Sequence, residues 1–229
     1  MATACALAAM VTAFAAPTAV YHVDQASPVA SDDNPGTADR PWRTVGRAAA
    51  TLQAGDRVLI HAGVYREYVE PRNSGQPGAP IVYEAAPGED VVLTGADVIT
   101  GWERLEGDRP VYRVPWRHAF IIDHRDGKPV YHHPGDDEHA RSGRAEQVIV
   151  DGQVWDYPQI VLSLADMAPG TFFPDVEGGF LYLWLPDGSD PNGHTIEACT
   201  RGMIFGTNPW ARPEGFNYVV VRGLTFRYC

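Results

Sequence analysis

The sequence predicts an all-β chain in which the end coils of a β-solenoid, closed by one short helix, are interrupted by an antiparallel β module. Three observations carry this reading. Short alternating strands recur early at a spacing of 23 residues, Val58 to Ile81 and Ile60 to Tyr83, and a repeat of that length with glycine or proline corners is what stacked coils need. One stretch, and only one, has convincing helical periodicity. Beyond about residue 103 the rhythm gives way to hairpin signals.

Composition fits this class. The chain has 229 residues, among them 23 glycines and 19 prolines, enough for a sizeable core made of many short elements joined by turns. A net charge of −11, with no basic stripe to displace phosphate counterions, argues against a nucleic-acid surface. Cys5, Cys199 and Cys229 make no disulfide framework and no metal or redox spacing. Residues 1–19, "MATACALAAMVTAFAAPTA", are too short and weakly apolar for a membrane span. They read as a secretion signal without the usual basic residue near its start, so a start codon inside a longer signal is the alternative.

Residues 20–102 are expected to form the cap and first coils. A short strand, Tyr21 to Val23, precedes a turn at Asn34-Pro35-Gly36-Thr37. Val45, Ala48, Ala49 and Leu52 then form an apolar stripe at i, i+3, i+4 and i+7. Thr44 is placed to cap this helix and Gly55 to end it. A solenoid end exposes a hydrophobic face and unpaired backbone, and an amphipathic helix can cover it, with Trp42 closing it against the first coil. "DRVLIHAG" and "PIVYEAAPG" supply the paired strands, and "VVLTGADVITGW" continues the second coil with Gly95 and Gly101 as corners.

Residues 103–213 read as an inserted, mostly antiparallel module. Asp151-Gly152 lies between alternating runs, a two-residue hairpin signal. A Phe172–Phe173 strand pairs with Leu181–Leu185 across a glycine turn, with Leu181, Leu183 and Leu185 on the packing face and Tyr182 and Trp184 on the other. Residues 214–229 return to the first idiom: Val219 and Val221 face one way, Gly223 turns, and Leu224 and Phe226 begin the next face. With few coils and no closing cap, the chain is expected to be the N-terminal fragment of a longer protein.

These residues carry a resemblance. Asn34 to Thr37, Pro41 to Thr44, Gly55-Asp56 and the Gly63-Val64-Tyr65-Arg66-Glu67 corner occur in the order seen at the opening of right-handed parallel β-helix proteins of the carbohydrate-active, pectin lyase-like kind. The middle of the chain looks like the β-sandwich inserted in bacterial β-xylosidase-type glycoside hydrolases. The resemblance covers nearly everything after residue 20 and is specific for fold rather than reaction, since one fold hosts many functions. It implies a pair of catalytic carboxylates on later coils, about 5 Å apart in a retaining enzyme and farther in an inverting one. No catalytic residue is assigned in this chain.

The remaining candidates are polar or aromatic clusters. His132, His133 and His139 with Asp136, Asp137 and Glu138 match no metal-ligand spacing and read first as a solvated loop, then as a substrate-facing one. From that loop His133 and Asp137 are the substrate-binding candidates. Trp210 and Arg212 sit in a proline-rich loop where module rejoins solenoid, a common place for a ligand cleft, although anchoring the loop explains them as well. Asp32, Asp33 and Asn34 could offer oxygens to calcium, but turn formation explains them with fewer assumptions. No cofactor is expected. His61 and Tyr65 fit packing. No Ser-His-Asp order, Gly-x-Ser-x-Gly elbow or phosphate loop is present.

The leading expectation is the N-terminal part of an exported glycoside hydrolase acting on polysaccharide or oligosaccharide. The alternatives are a polysaccharide lyase, a non-catalytic glycan-binding or surface β-helix, and a complete small binding protein.

Overall fold

The computed structural model describes residues 17–120, 123–125, 128–130, 146–153, 158–208 and 212–228, with the backbone alone at 123–125 and 128–130. The chain is all-β. Its strands in order are β1 (Val20–Val23), β2 (Arg57–Ile60), β3 (Gly63–Tyr65), β4 (Ile81–Ala85), β5 (Val91–Thr94), β6 (Ala96–Val98), β7 (Glu103–Arg104), β8 (Tyr112–Pro115) and β9 (Asp123–Arg125). They continue with β10 (Lys128–Val130), β11 (Val148–Val150), β12 (Gln159–Ile160), β13 (Thr171–Asp175), β14 (Phe180–Trp184), β15 (Ile196–Cys199), β16 (Val219–Arg222) and β17 (Leu224–Arg227). The α-helix among the described residues is α1, Val45–Thr51. The chain divides into two compact units: one runs up to Tyr65 and adds Val69–Val92 and Phe205–Thr225, and the other comprises Arg66–Tyr68, Leu93–Ile204 and the residues from Phe226 on.

The first unit is built on a sheet of order β1-β2-β4-β16 in which every pairing is parallel. Val23, Val58, Ile60, Ile81 and Tyr83 point inward and are buried, as period two requires. The register differs from the sequence expectation. Val58 stands opposite Tyr83 and Ile60 opposite Ala85, two residues beyond the partners that apolar spacing suggests. A slip of two keeps every side chain on its own face, so alternation alone does not distinguish the two registers. On β16, the outer strand of this sheet, Val221 remains 38% exposed, and the neighbouring Tyr218 is 55% exposed.

The helix forms where its stripe predicts, with Val45, Ala48, Ala49 and Leu52 buried. Thr44 Oγ1 accepts the Arg47 N–H at 3.1 Å as the N-cap. Asp32 explains why this cap is firm. Its Oδ1 accepts the N–H groups of Arg43 (3.0 Å) and Thr44 (2.9 Å), and its Oδ2 accepts the Thr44 hydroxyl at 2.8 Å. The side chain considered for calcium thus gives one oxygen to the backbone before the helix and the other to the capping hydroxyl. Asn34 Nδ2 likewise donates to the carbonyls of Val29 and Pro41. Trp42 is buried, donates Nε1–H to the Asn34 carbonyl at 2.8 Å, and stacks on Tyr21 with centroids 4.7 Å apart. Gly36 lies under that indole at φ +80°; a Cβ there would fall 2.6 Å from the ring.

The second unit holds two sheets, β12-β13-β14-β8-β7 and β11-β15-β6. In the first, β13–β14, β14–β8 and β7–β8 are antiparallel and β12–β13 is parallel; in the second both pairings are antiparallel. β9 and β10 form a further antiparallel pair. The two sheets share one core, in which Val114, Phe172, Leu181, Leu183 and Leu185 pack with Val148, Ile196 and Ala198. The leucine face of β14 is therefore the buried one, as expected. Tyr182 on the opposite face is buried as well, because Val111, Val161 and Met167 cover it. The strand after Gly95 also departs from expectation: β6 pairs antiparallel with β15 rather than continuing a parallel coil. Asp151 and Gly152 adopt φ of 51° and 70°, the pair of positive values that a two-residue hairpin turn demands. Gly223, at φ +66°, is the single residue between β16 and β17, the corner its position suggests.

Candidate functional site

His133, Asp137 and Trp210 lie outside the described residues, as does the rest of the histidine-rich stretch. Arg212 is placed, and its guanidinium is committed to the protein itself. Nη1 donates to the Pro71 carbonyl at 2.6 Å, Nη2 to the Arg72 carbonyl at 3.0 Å, and Nε lies 3.3 Å from Glu214. These contacts anchor its loop within the first unit. Tyr65 is buried and donates its hydroxyl to the His61 carbonyl at 2.9 Å. Among the described residues no group of three or more His, Cys, Asp or Glu side chains is arranged to hold a metal ion.

Two polar networks come together that sequence spacing does not reveal. The first, in the first unit, joins His22 on β1, His61 just past β2, and Glu89. His22 Nδ1 is 3.1 Å from His61 Nε2, and His61 Nδ1 is 3.0 Å from Glu89 Oε1. Glu89 Oε2 accepts the Ala62 N–H at 2.6 Å. An ionised Glu89 only accepts, so the hydrogen between it and His61 belongs to Nδ1. Glu89 is held below the usual carboxylate range, first by the Ala62 N–H and then by His61. His22 is pushed below the ordinary imidazole value by burial and by the neighbouring His61. The arrangement can pass a proton from ring to ring and hold one imidazole neutral. The parallel register β1–β2 creates it by bringing the ends of two distant strands together.

The second network belongs to the second unit. His194 Nδ1 lies 2.8 Å from Asp151 Oδ2, and His194 Nε2 lies 3.0 Å from Ser189 Oγ. The Ser189 hydroxyl is also 2.6 Å from Asp187 Oδ1. Asp151 Oδ1 accepts the Thr195 N–H at 2.8 Å. Hydrogen bonds from His194 and then from the Thr195 backbone hold the Asp151 carboxyl below its usual range, and Ser189 does the same for Asp187. The hairpin turn supplies Asp151; the loop after β14, closed by a 3-10 turn at Pro191–Gly193, supplies the other three. In the chain these residues occur in the order Asp, Ser, His, which is why a search for a familiar triad order passes over them.

A third cluster is structural. Arg66 Nη2 meets Glu197 Oε1 at 2.7 Å and Nη1 donates to the Ala96 carbonyl at 2.6 Å. Nearby, Asp97 accepts from Thr200 (2.7 Å) and Arg201 (3.0 Å). Burial raises the Asp97 carboxyl, but those hydrogen bonds and the charges of Arg201 and Arg66 outweigh it and hold the group below its usual range.

No family model matches the chain. An uncharacterized protein of Bacillus subtilis, YwoF, is 34% identical over 96 residues, 42% of this chain and 20% of the relative. Pectate lyase PEL9 of Emericella nidulans is 32% identical over 74 residues, 31% of this chain and 18% of the relative. The chain thus spans about a fifth of the length of these curated relatives. Among solved structures, the complex of XylC with xylose superimposes with a TM-score of 0.65 at 23% identity, over 90% of this chain and 35% of that one. A glycoside hydrolase superimposes with a TM-score of 0.53 at 14% identity, over 91% of this chain and 50% of that one. At those identities the likeness is one of fold. Over nine-tenths of its length the chain has the fold of a protein solved with xylose bound, and over shorter stretches it shares sequence with a pectate lyase.

Proposed function

We propose that this chain is the N-terminal part of an exported, carbohydrate-active right-handed parallel β-helix protein of the β-xylosidase-like glycoside hydrolase kind. In this reading residues 103–213 are inserted between coils, and the catalytic carboxylates lie on coils beyond residue 229. The observation that carries it is the all-parallel ladder β1-β2-β4-β16, in which β16 takes its place directly on β4 after the long antiparallel excursion. A β-helix interrupted by an insertion has this property, because the chain must resume in register on the last coil it left. The exposed Val221 of β16, the exposed Tyr218 just before it, and the greater length of the relatives support a continuation of the stack. Polysaccharide or oligosaccharide is the partner, with Trp210, Arg212, His133 and Asp137 as candidate substrate-facing residues, although Arg212 already holds its loop through the Pro71 and Arg72 carbonyls and Glu214.

A polysaccharide lyase is the second reading, favoured by the stretch of identity with pectate lyase PEL9. The two separate in one experiment. The longer reading frame and this chain are assayed side by side on aryl-xylosides and on polygalacturonate. The first reading expects hydrolysis of the glycoside by the longer protein and none by this chain. The second expects an unsaturated, ultraviolet-absorbing product from polygalacturonate. Glycoside turnover by this chain alone, abolished by mutating one of its own carboxylates, would sink the assignment of catalysis to later coils.

A further inference from the structure

Ser189, His194 and Asp151 stand in the geometry of an acyl-transfer triad. The two imidazole nitrogens are used in the required sense: Nε2 faces the hydroxyl at 3.0 Å and Nδ1 faces the carboxylate at 2.8 Å. An Nδ1–H bonded to a carboxylate leaves the Nε2 lone pair directed at the serine, which is what a general base needs. The parts are held in place. Asp151 sits in a two-residue turn with Oδ1 tied to the Thr195 N–H, the Ser189 N–H donates to Asp187 Oδ1 at 3.0 Å, and the His194 N–H donates to the Pro191 carbonyl at 3.1 Å. The N–H of Asp190, the residue after the serine, has no acceptor among the described residues and is the available donor for a carbonyl oxygen gaining charge.

We propose that Ser189 is a nucleophile toward small carboxylic esters, with His194 as base and Asp151 as the positioning residue. Ser189 Oγ attacks the ester carbonyl carbon while Nε2 takes the hydroxyl proton. The bond from that carbon to the alcohol oxygen breaks, and the alcohol leaves with the proton held on Nε2. Water then attacks the acyl-serine and gives its proton to Nε2. As the carboxylic acid departs, Oγ recovers that proton, so nothing but water is consumed. The site is open, with the side chains of Asp151 and His194 49% and 29% exposed. It therefore suits an acetyl-sized group, free or projecting from a larger ligand. Asp187 acts as a brake: at 2.6 Å its carboxylate competes with Nε2 for the hydroxyl proton, and His194 can act as base only when that proton faces the ring.

The test uses the full chain with p-nitrophenyl acetate at mildly alkaline pH, together with labelling by an alkyl fluorophosphonate and peptide mapping. A covalent adduct at Ser189 is expected. Ester turnover should fall roughly 100-fold or more in S189A and H194A, the usual scale for losing a nucleophile or its base, and should fall in D151N. D187N should react several-fold faster than the parent, since an amide oxygen still accepts the Ser189 N–H but competes less for the hydroxyl proton. Faster fluorophosphonate labelling at Ser189 itself in D187N cannot come from unfolding, so this variant protects the test against loss of structure in the others. If these residues only clasp the loop, fluorophosphonate leaves Ser189 unmodified and S189A hydrolyses the ester at the parent rate. Either result overturns the proposal. Ester cleavage is independent of glycoside cleavage, so its failure leaves the β-helix reading standing.

Discussion

Replacing Arg66 by methionine should destabilise the second unit by about 2–4 kcal/mol, most of it the cost of a stranded carboxylate. Glu197 lies on β15 with its side chain 6% exposed, and its close cation is Arg66, at 2.7 Å. Breaking a buried pair from one side costs about 3–5 kcal/mol. Two features place this case toward the low end. The Arg66 side chain is 29% exposed, so water already screens the pair. The Glu197 Oε1 contact is also close without the alignment of a good hydrogen bond. The Ala96 carbonyl loses its 2.6 Å donor in the same mutant, adding about 1 kcal/mol. Glu197→Leu alone should cost less, because the partly exposed guanidinium can turn to water. The double variant should recover all but the roughly 1 kcal/mol of the Ala96 carbonyl, since well-packed apolar groups can replace a buried ion pair at little cost. Urea unfolding followed by tryptophan fluorescence measures this. With slopes of about 1–3 kcal/mol per molar, the midpoint of R66M should fall by about 1 M or more. A loss below about 0.5 kcal/mol, or strictly additive single and double variants, would refute the view that burial of Glu197 sets the cost.

Three further outcomes can be checked. Gly36→Ala should destabilise the first unit by more than the roughly 1 kcal/mol of a simple glycine-to-alanine mismatch, because the new Cβ meets the Trp42 ring at 2.6 Å; thermal unfolding and near-ultraviolet circular dichroism report it. Leu183→Ala, at a fully buried site between two sheets, should cost about 2–5 kcal/mol by urea titration. Stability should decline on acidification in two stages. His22, with its folded pKa lowered, favours folding above the ordinary imidazole pKa of about 6.5, and this is lost as pH falls through the folded value. Glu89, Asp97, Asp151 and Asp187, also lowered, favour folding above about pH 4, and that share is lost below it. Unfolding midpoints at pH 8, 6 and 3 trace both stages, and H22Q should remove the first. A midpoint that rises between pH 8 and 6 would contradict the sign.

The legible parts of this protein are those that neighbouring residues decide. The stripe Val45, Ala48, Ala49 and Leu52 needs only 3.6 residues per turn to become a buried face, and Thr44 needs only the next turn to become its cap. Asp151-Gly152 encodes its own positive φ values. Alternation along β14 decides that its leucines share a face, but not that Tyr182 on the other face is covered too; Val111, Val161 and Met167 come from elsewhere in the chain. The candidate sites were less legible. His61 reads as a packing residue until β1 and β2 align and bring His22 to it. Ser189 and His194 carry no site signal in the sequence, because the Asp151 turn that completes the network lies about forty residues earlier in the chain. Arg212 reads equally as a ligand contact or a loop anchor, and only the fold shows its guanidinium spent on two carbonyls more than a hundred residues earlier in the chain.

By itself, then, the sequence determined the all-β class, the helix Val45–Thr51 and its cap, the hairpin at Asp151-Gly152, the corner at Gly223 and the return of a strand idiom near Val219. Each depends on torsional preference or on a period read within a dozen residues. The tertiary structure decided that Val58 meets Tyr83 and not Ile81, that β6 joins β15, that Asp32 braces a helix, and that Asp151, Ser189 and His194 converge. The physical reason is the same in each case. Strand register and side-chain convergence minimise the energy of the packed whole, and a two-residue slip or a different loop path leaves every local preference satisfied while changing which side chains meet.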